Sequence, residues 1–203
     1  MKLKTFVNQI AVENTYLLTS DKSSQLLIDP GSDLEYLPEI DNLSAVLLTH
    51  AHFDHILGLA SVREKYPDIP IYLAETEKDW PCSPELNCSS LMLGSPLISV
   101  QATDYYVFDK AYQITDFAFT IRDTPGHSIG GVSIVFSNEK KVFSGDTLFK
   151  NSIGRTDLPT GNFEQLIHSI KSQLFSLPND FIVYSGHGEP TTIGEEKSFN
   201  PFF

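Results

Sequence analysis

Short apolar runs separated by turn residues dominate the chain. "TFVNQI" (5–10), "NTYLLTS" (14–20) and "QLLIDPG" (25–31) alternate or run apolar over a few positions, and the last ends in Pro-Gly. Three opening strands are predicted. "SDLEYLPEI" predicts a short helix capped by Ser32 and broken at Pro38. "SAVLLTH" is continuously apolar, the pattern of a strand buried on both faces. "HILGLASVREKY" sets Ile56, Leu57 and Ala60 ahead of a charged end, which suits a helix closing at Pro67.

Further strands are predicted at "IPIYL", "YYVF", "FAFTIR", "GVSIVFS", "KVFSG" and "FIVYSG". The stretch from Trp80 to Pro96 is rich in Pro and Ser without a clear period, so it reads as a long surface loop of the kind that forms lids. "NFEQLIHSIKSQLFSL" places Phe163, Leu166, Ile167, Ile170 and Leu174 at helical spacing, giving one amphipathic helix before Pro178. Many short strands with few helices indicate a sheet-based α/β or α+β domain. The 203 residues suffice for one substantial core, with no repeat or linker, so residues 1–203 read as one domain.

Composition narrows the partners. The net charge is −12, from 26 acidic and 14 basic residues with no Lys/Arg run, which disfavours nucleic acid and membrane surfaces. No apolar run approaches the roughly 18 residues of a membrane span, and "MKLKTFVNQIAVENTYLL" does not read as a signal peptide. A cytoplasmic protein acting on a small molecule is the expectation. Five residues separate Cys82 from Cys88, which fits neither a redox CxxC pair nor a zinc knuckle, so both read as free thiols.

The chemistry gathers at strand ends. "LLTHAHFDHILG" puts His50, His52, Asp54 and His55 directly after an apolar strand. "FTIRDTPGH", "KVFSGD" and "FIVYSGH" then run strands through glycine into His127, Asp146 and His187. Glycine permits a sharp turn there, so each following side chain can point at a shared centre. His and Asp suit zinc and similar divalent ions, and these seven groups exceed the needs of one tetrahedral ion. They match two ions sharing one carboxylate. His50 and His52 can serve one ion while Asp54 and His55 serve its neighbour. His168 lies mid-helix without ligand neighbours and reads as a surface or boundary residue.

"THAHFDH", "TPGHS", "SGDTLF" and "SGHG", in that order, resemble the metallo-β-lactamase-fold hydrolases. "GDTLFKNSIGRTDLPTGN" and "SGHGEPTTIGEEKSFNPFF" narrow the likeness to the short bacterial glyoxalase II-like (hydroxyacylglutathione hydrolase-like) group. The resemblance implies an α+β fold, a four-layer αββα sandwich. It also implies His50, His52 and His127 on a first ion, Asp54, His55 and His187 on a second, and Asp146 bridging both. The ions would be zinc, with iron or manganese as alternatives. Asp rather than Cys or Ser at position 146 favours the hydrolase branches over true β-lactamases. Only 16 residues follow His187, so the helical glutathione-binding domain of longer relatives is not expected.

The implied reaction is thioester hydrolysis by a hydroxide shared between two ions, with Asp54 as the catalytic carboxylate that aims it. Arg155 matches a basic substrate contact of glyoxalase II and is the candidate grip for a substrate carboxylate; a structural ion pair with Asp157 is the alternative. Three rival readings share the fold. One is a mononuclear-iron persulfide dioxygenase using His50, His127 and Asp146, another is lactone or phosphodiester hydrolysis, and the third is a non-catalytic metal-binding module.

Overall fold

The structure is a computed structural model that describes residues 1–37, 40–108 and 110–203. The expected helix break at Pro38 falls outside them. The chain forms two compact units, one of Met1–Tyr106 with Gln113–Phe117, the other of Val107–Tyr112 with Ala118–Phe203.

The first unit carries β1 (Lys2–Val7), β2 (Asn14–Thr19), β3 (Gln25–Ile28), β4 (Leu43–Leu47), α1 (Phe53–Ile56), α2 (Leu59–Lys65), β5 (Ile71–Leu73), α3 (Ser89–Met92) and β6 (Asp104–Tyr105). The strands form one sheet in sequence order. β1, β2 and β3 pair antiparallel, whereas β3 to β6 run parallel. Parallel strands covered on both faces need apolar residues at every position, and Ala45 to Leu48 are all fully buried. Leu17, Leu27 and Val46 from the sheet pack with Ile56, Leu59 and Val62 from the helices into one core.

Several boundaries differ from expectation. β1 starts at Lys2 and ends at Val7, because the Asn8 carboxamide accepts from Ala11 N (3.1 Å) and turns the chain out of the sheet. The short helix expected between a Ser32 cap and Pro38 is a 3₁₀ turn over Leu34–Tyr36 with Asp33, not Ser32, at its N-cap, and Leu34 N donates to Ser61 Oγ. The single helix expected at 55–66 is split at Gly58, whose N–H donates to Pro30 O (2.7 Å). Ala60 is exposed; Ile56, Leu59 and Val62 make the buried face. "YYVF" leaves the sheet after Tyr105, since Val107 N bonds the Tyr112 hydroxyl rather than a neighbouring strand.

The largest correction concerns residues 80–96. Trp80, Pro81, Asn87, Cys88 and Ser89 are buried, and the stretch holds a 3₁₀ turn at Trp80–Cys82 besides α3. Asn87 explains this. Its side chain donates to the Pro81 and Leu97 carbonyls and accepts from Ser89 N, tying an irregular segment into the core. Trp80, Pro81 and Asn87–Ser89 are thus built into the fold, whereas residues 90–92 and 94–96 are exposed, as expected of a surface loop. Cys82 and Cys88 are not joined in a disulfide, as expected.

The second unit carries β8 (Phe117–Asp123) after β7 (Ala111–Ile114), then β9 (Val132–Phe136), β10 (Lys141–Gly145), β11 (Leu148–Phe149), β12 (Ser152–Ile153), α4 (Phe163–Ser169), β13 (Ile182–Ser185), β14 (Thr191–Thr192) and α5 (Ile193–Phe199). Its main sheet has the order β14-β13-β10-β9-β8-β7, with β10 and β13 parallel and the pairs β8–β9 and β9–β10 antiparallel. β8 alternates buried Phe117, Phe119 and Ile121 with more exposed neighbours, as a strand with one covered face must.

α4 begins where Asn162 caps Gln165 N (3.0 Å), and it passes into a π-helical turn over Ile170–Leu174. Leu166, Ile170 and Leu174 are fully buried against Val135, Val142 and Val183. Phe163, assigned to this face from its spacing, is 51% exposed. His168 is exposed, as its position suggested. By equilibrium chemical denaturation, Leu166→Ala should cost about 2–5 kcal/mol through cavity formation, and His168→Ala less than about 0.5 kcal/mol.

Candidate metal centre

In the first unit, β4 delivers the chain to Thr49. There the Asp29 carboxylate, at the end of β3, accepts from Thr49 N (2.7 Å) and Thr49 Oγ1 (2.6 Å). Asp29 itself has φ 49°, a left-handed conformation that turns its side chain back across the strand ends. The next residue, His50, is thereby fixed, with Nδ1 3.2 Å from the Thr49 hydroxyl.

His50 and His52 leave the strand end with one residue between them. Ala51, in the gap, donates its N–H to the buried Glu77 carboxylate (2.8 Å), and Phe53 N donates to Asn87 O (2.8 Å). These braces bring His50 Nε2 to 3.1 Å from His52 Nδ1, with the rings edge to face. Trp80 lies along the His52 ring at a centroid distance of 5.7 Å. His52 is also the N-cap of α1, so Asp54 and His55 stand on its first turn with ligand-type atoms within 4.8 Å of one another. His55 Nδ1 faces Asp29 Oδ2 at 3.0 Å, and its ring sits 4.1 Å from that of His50.

All four sequence-predicted ligands of this unit are buried: His50 1%, His52 3%, Asp54 8% and His55 0% exposed. Crowding imidazoles and a carboxylate away from water is unfavourable unless something else gains by it. The nitrogen spacing indicates what. Two ligands on a tetrahedral ion with bonds of 2.0–2.1 Å stand about 3.3 Å apart, close to the 3.1 Å between His50 and His52. The donor set and its geometry fit a divalent ion.

The second unit supplies the remaining three. Asp146 Oδ2 lies 3.6 Å from His127 Nε2 and 3.5 Å from His187 Nε2, so one carboxylate stands between two imidazoles. His127 Nδ1 is 2.8 Å from the Arg155 carbonyl oxygen. A carbonyl only accepts, so Nδ1 carries the proton and Nε2 keeps its lone pair on the Asp146 side. The expected glycine turns occur before two of the ligands, at Gly126 (φ 135°) and Gly145 (φ 48°). At the third, the left-handed residue is Gly188 (φ 78°), after His187 rather than before it.

The loop after Asp146 is itself braced. Glu196, buried on α5, accepts from Asn151 N (2.9 Å), Asn200 Nδ2 (2.7 Å) and Thr191 Oγ1 (2.6 Å). Arg155 forms a bidentate pair with Asp157, Nε to Oδ1 at 2.7 Å and Nη2 to Oδ2 at 2.8 Å. The guanidinium pulls the Asp157 carboxyl down to about 2. The ion pair weighed from sequence is therefore present. An open cavity of about 340 Å³ lies beside His187, walled by Phe149, Lys150, Asn151 and Glu189, with Lys150 paired to Glu189 at 2.7 Å.

The residues that orient the ligands were not found from sequence. Asp29 had a signal, an acid between an apolar strand and Pro-Gly, which a turn explains equally well. Glu77 and the Arg155 carbonyl had none.

The family model of the metallo-beta-lactamase superfamily matches residues 11–187, a span that includes all seven predicted ligands. A Streptococcus pyogenes protein described as a probable metallo-hydrolase is 47% identical over all of this chain and 90% of its own length. Hydroxyacylglutathione hydrolase GloC of Haemophilus influenzae is 36% identical over 94% of this chain and 92% of its own. Among solved structures, BLEG-1, described as a B3 metallo-beta-lactamase, superposes with a TM-score of 0.94 at 40% identity, covering 99% of each chain. TTHA1623 in a di-iron-bound form gives 0.86 at 32% identity, covering 98% of this chain and all of that one. The α+β fold implied by the sequence is thus the one observed, and the chain belongs to the metallo-beta-lactamase superfamily.

Proposed function

We propose that the chain is a metal-dependent hydrolase of thioesters such as S-2-hydroxyacylglutathione, holding two divalent ions through His50, His52, Asp54, His55, His127, Asp146 and His187. The observation that carries the reading is the 3.1 Å convergence of the buried His50 and His52 nitrogens. The thioester class is supported by the identity to GloC over nearly the whole length of both chains. Zinc is the ion this donor set suits first, with iron as the alternative that the di-iron relative supports.

Bound divalent ions would supply Lewis acidity and a hydroxide at neutral pH. The protein's part is orientation. His127 is held in one tautomer by the Arg155 carbonyl, and His55 faces Asp29 with Nδ1, which leaves Nε2 as its ligand atom. Asp54 serves as ligand and as the acceptor that aims the nucleophile at the thioester carbonyl. A thiolate leaves without protonation because its conjugate acid has a pKa of about 8.5. Arg155 grips a substrate carboxylate, exchanging Asp157 for it; an exposed pair of this kind is weak enough to exchange. The matching physiological setting is a cytoplasmic enzyme with a small-molecule substrate; among the described residues no helix is long and apolar enough to cross a membrane.

A second reading, β-lactam hydrolysis, is favoured by the 40% identity to BLEG-1. A chromogenic cephalosporin belongs in the same assay as S-lactoylglutathione. Faster turnover of the cephalosporin reverses the order of the two readings. One iron per chain with oxygen uptake on glutathione persulfide would replace both by the dioxygenase.

Elemental analysis of the active enzyme should find two ions per chain, and Asp54→Asn and His127→Ala should each abolish S-lactoylglutathione hydrolysis. Arg155→Ala should chiefly raise KM for acidic thioesters, and an unchanged KM would retire its anchoring role. Trp80, the sole tryptophan, lies against His52. Titrating Co²⁺ into metal-free protein should therefore quench its fluorescence to saturation. Intensity that does not change would exclude an ion at His52.

A further inference from the structure

Behind His55, on the side away from Nε2, lie two buried carboxyl groups. Asp29 is the nearer. Glu13 stands one step back, with Oε1 4.0 Å from His55 Nδ1. Its other oxygen, Oε2, accepts from Asn8 Nδ2 (2.9 Å) and Thr15 Oγ1 (3.1 Å). Glu13 and His55 are wholly buried and Asp29 is 1% exposed, and each offers a ligand-type atom within 4.8 Å of the others.

His55 is the base that faces this acid, and the acid has no exposure to water. Space is kept for it as well. A Cβ on Gly31 would collide with the Asp54 backbone oxygen as well as with Glu13 Oε2 and Asn8 Nδ2, so glycine is needed where the chain passes beside the carboxyl and α1. Two acids facing one imidazole leave the pocket short of positive charge. A dication on the far nitrogen of that imidazole would supply it.

We propose that Glu13 is a positioning residue for the second ion: together with Asp29 it holds His55 with Nδ1 turned inward and Nε2 outward, and its buried acid strengthens the grip of Nε2 on a divalent cation. The proposal rests on the two-ion reading above. Glu13 touches neither substrate nor ion and acts only through His55. Such outer partners orient a ligand ring and raise its basicity, and their loss lowers metal affinity by about 10–100-fold.

The same burial makes the acid a burden on the metal-free fold, since a wholly buried carboxyl whose basic neighbour stands 4.0 Å away is costly to desolvate. Glu13→Gln therefore separates positioning from scaffolding. Zinc would be titrated into metal-free wild type and variant against a competing chelator, and both metal-free proteins melted. Wild type should bind two zinc ions. The variant should bind the second about tenfold or more weakly, with a metal-free melting temperature equal to or above that of wild type. Unchanged affinity for both ions overturns the positioning role and leaves the two-ion reading intact. A lowered metal-free melting temperature also overturns it, because Glu13 is then a structural brace. Fewer than two zinc ions on wild type overturns both readings.

Discussion

The Asp29 carboxylate governs where the histidine-rich turn goes. It takes the backbone N–H and hydroxyl of Thr49, just before His50, and it faces Nδ1 of His55 at the turn's other end. Seven residues, Thr49 to His55, that begin and finish against one buried carboxylate have little freedom left. A hydrogen bond to an ionised group contributes about 1.5–3 kcal/mol, so several on one carboxylate can hold imidazoles that would otherwise seek water. The apolar strand β4 exists, in this sense, to bring Thr49 within reach of β3.

In the second unit a neutral acceptor faces the imidazole. His127 is aimed by a backbone carbonyl, and the loop that provides it is pinned by Glu196. The predicted ligands His55 and His127 thus each face an acceptor behind the ring. Such an acceptor sets which ring nitrogen stays available.

Much of this was legible in the sequence, and for identifiable reasons. The parallel strand at 43–47 announces itself through an unbroken apolar run, and the hexad through ligand types at close spacing. Local chemistry that competes with periodicity was harder to read. Asn8 ends β1 two residues before its apolar pattern stops, and Gly58 divides a helix that looks continuous. The burial of Trp80, Pro81 and Asn87–Ser89 could not be found from composition, because Asn87 ties the segment in through contacts that leave no periodic trace. α5 was overlooked despite a readable signature, the Thr192–Glu195 capping box. Among the site residues, the ligands carry a pattern and their orienting partners do not, since a carbonyl or a distant glutamate serves whatever its neighbours in sequence are.

Glu196 has a bearing on how the protein is made. The loop running from Asp146 to Arg155 is clasped by a side chain 45 positions beyond Asn151. During synthesis that loop is made before its clasp, so the hydrogen bonds that Glu196 accepts from Asn151 and Asn200 can form only once α5 has been made. The loop that carries the Arg155 carbonyl is therefore secured late.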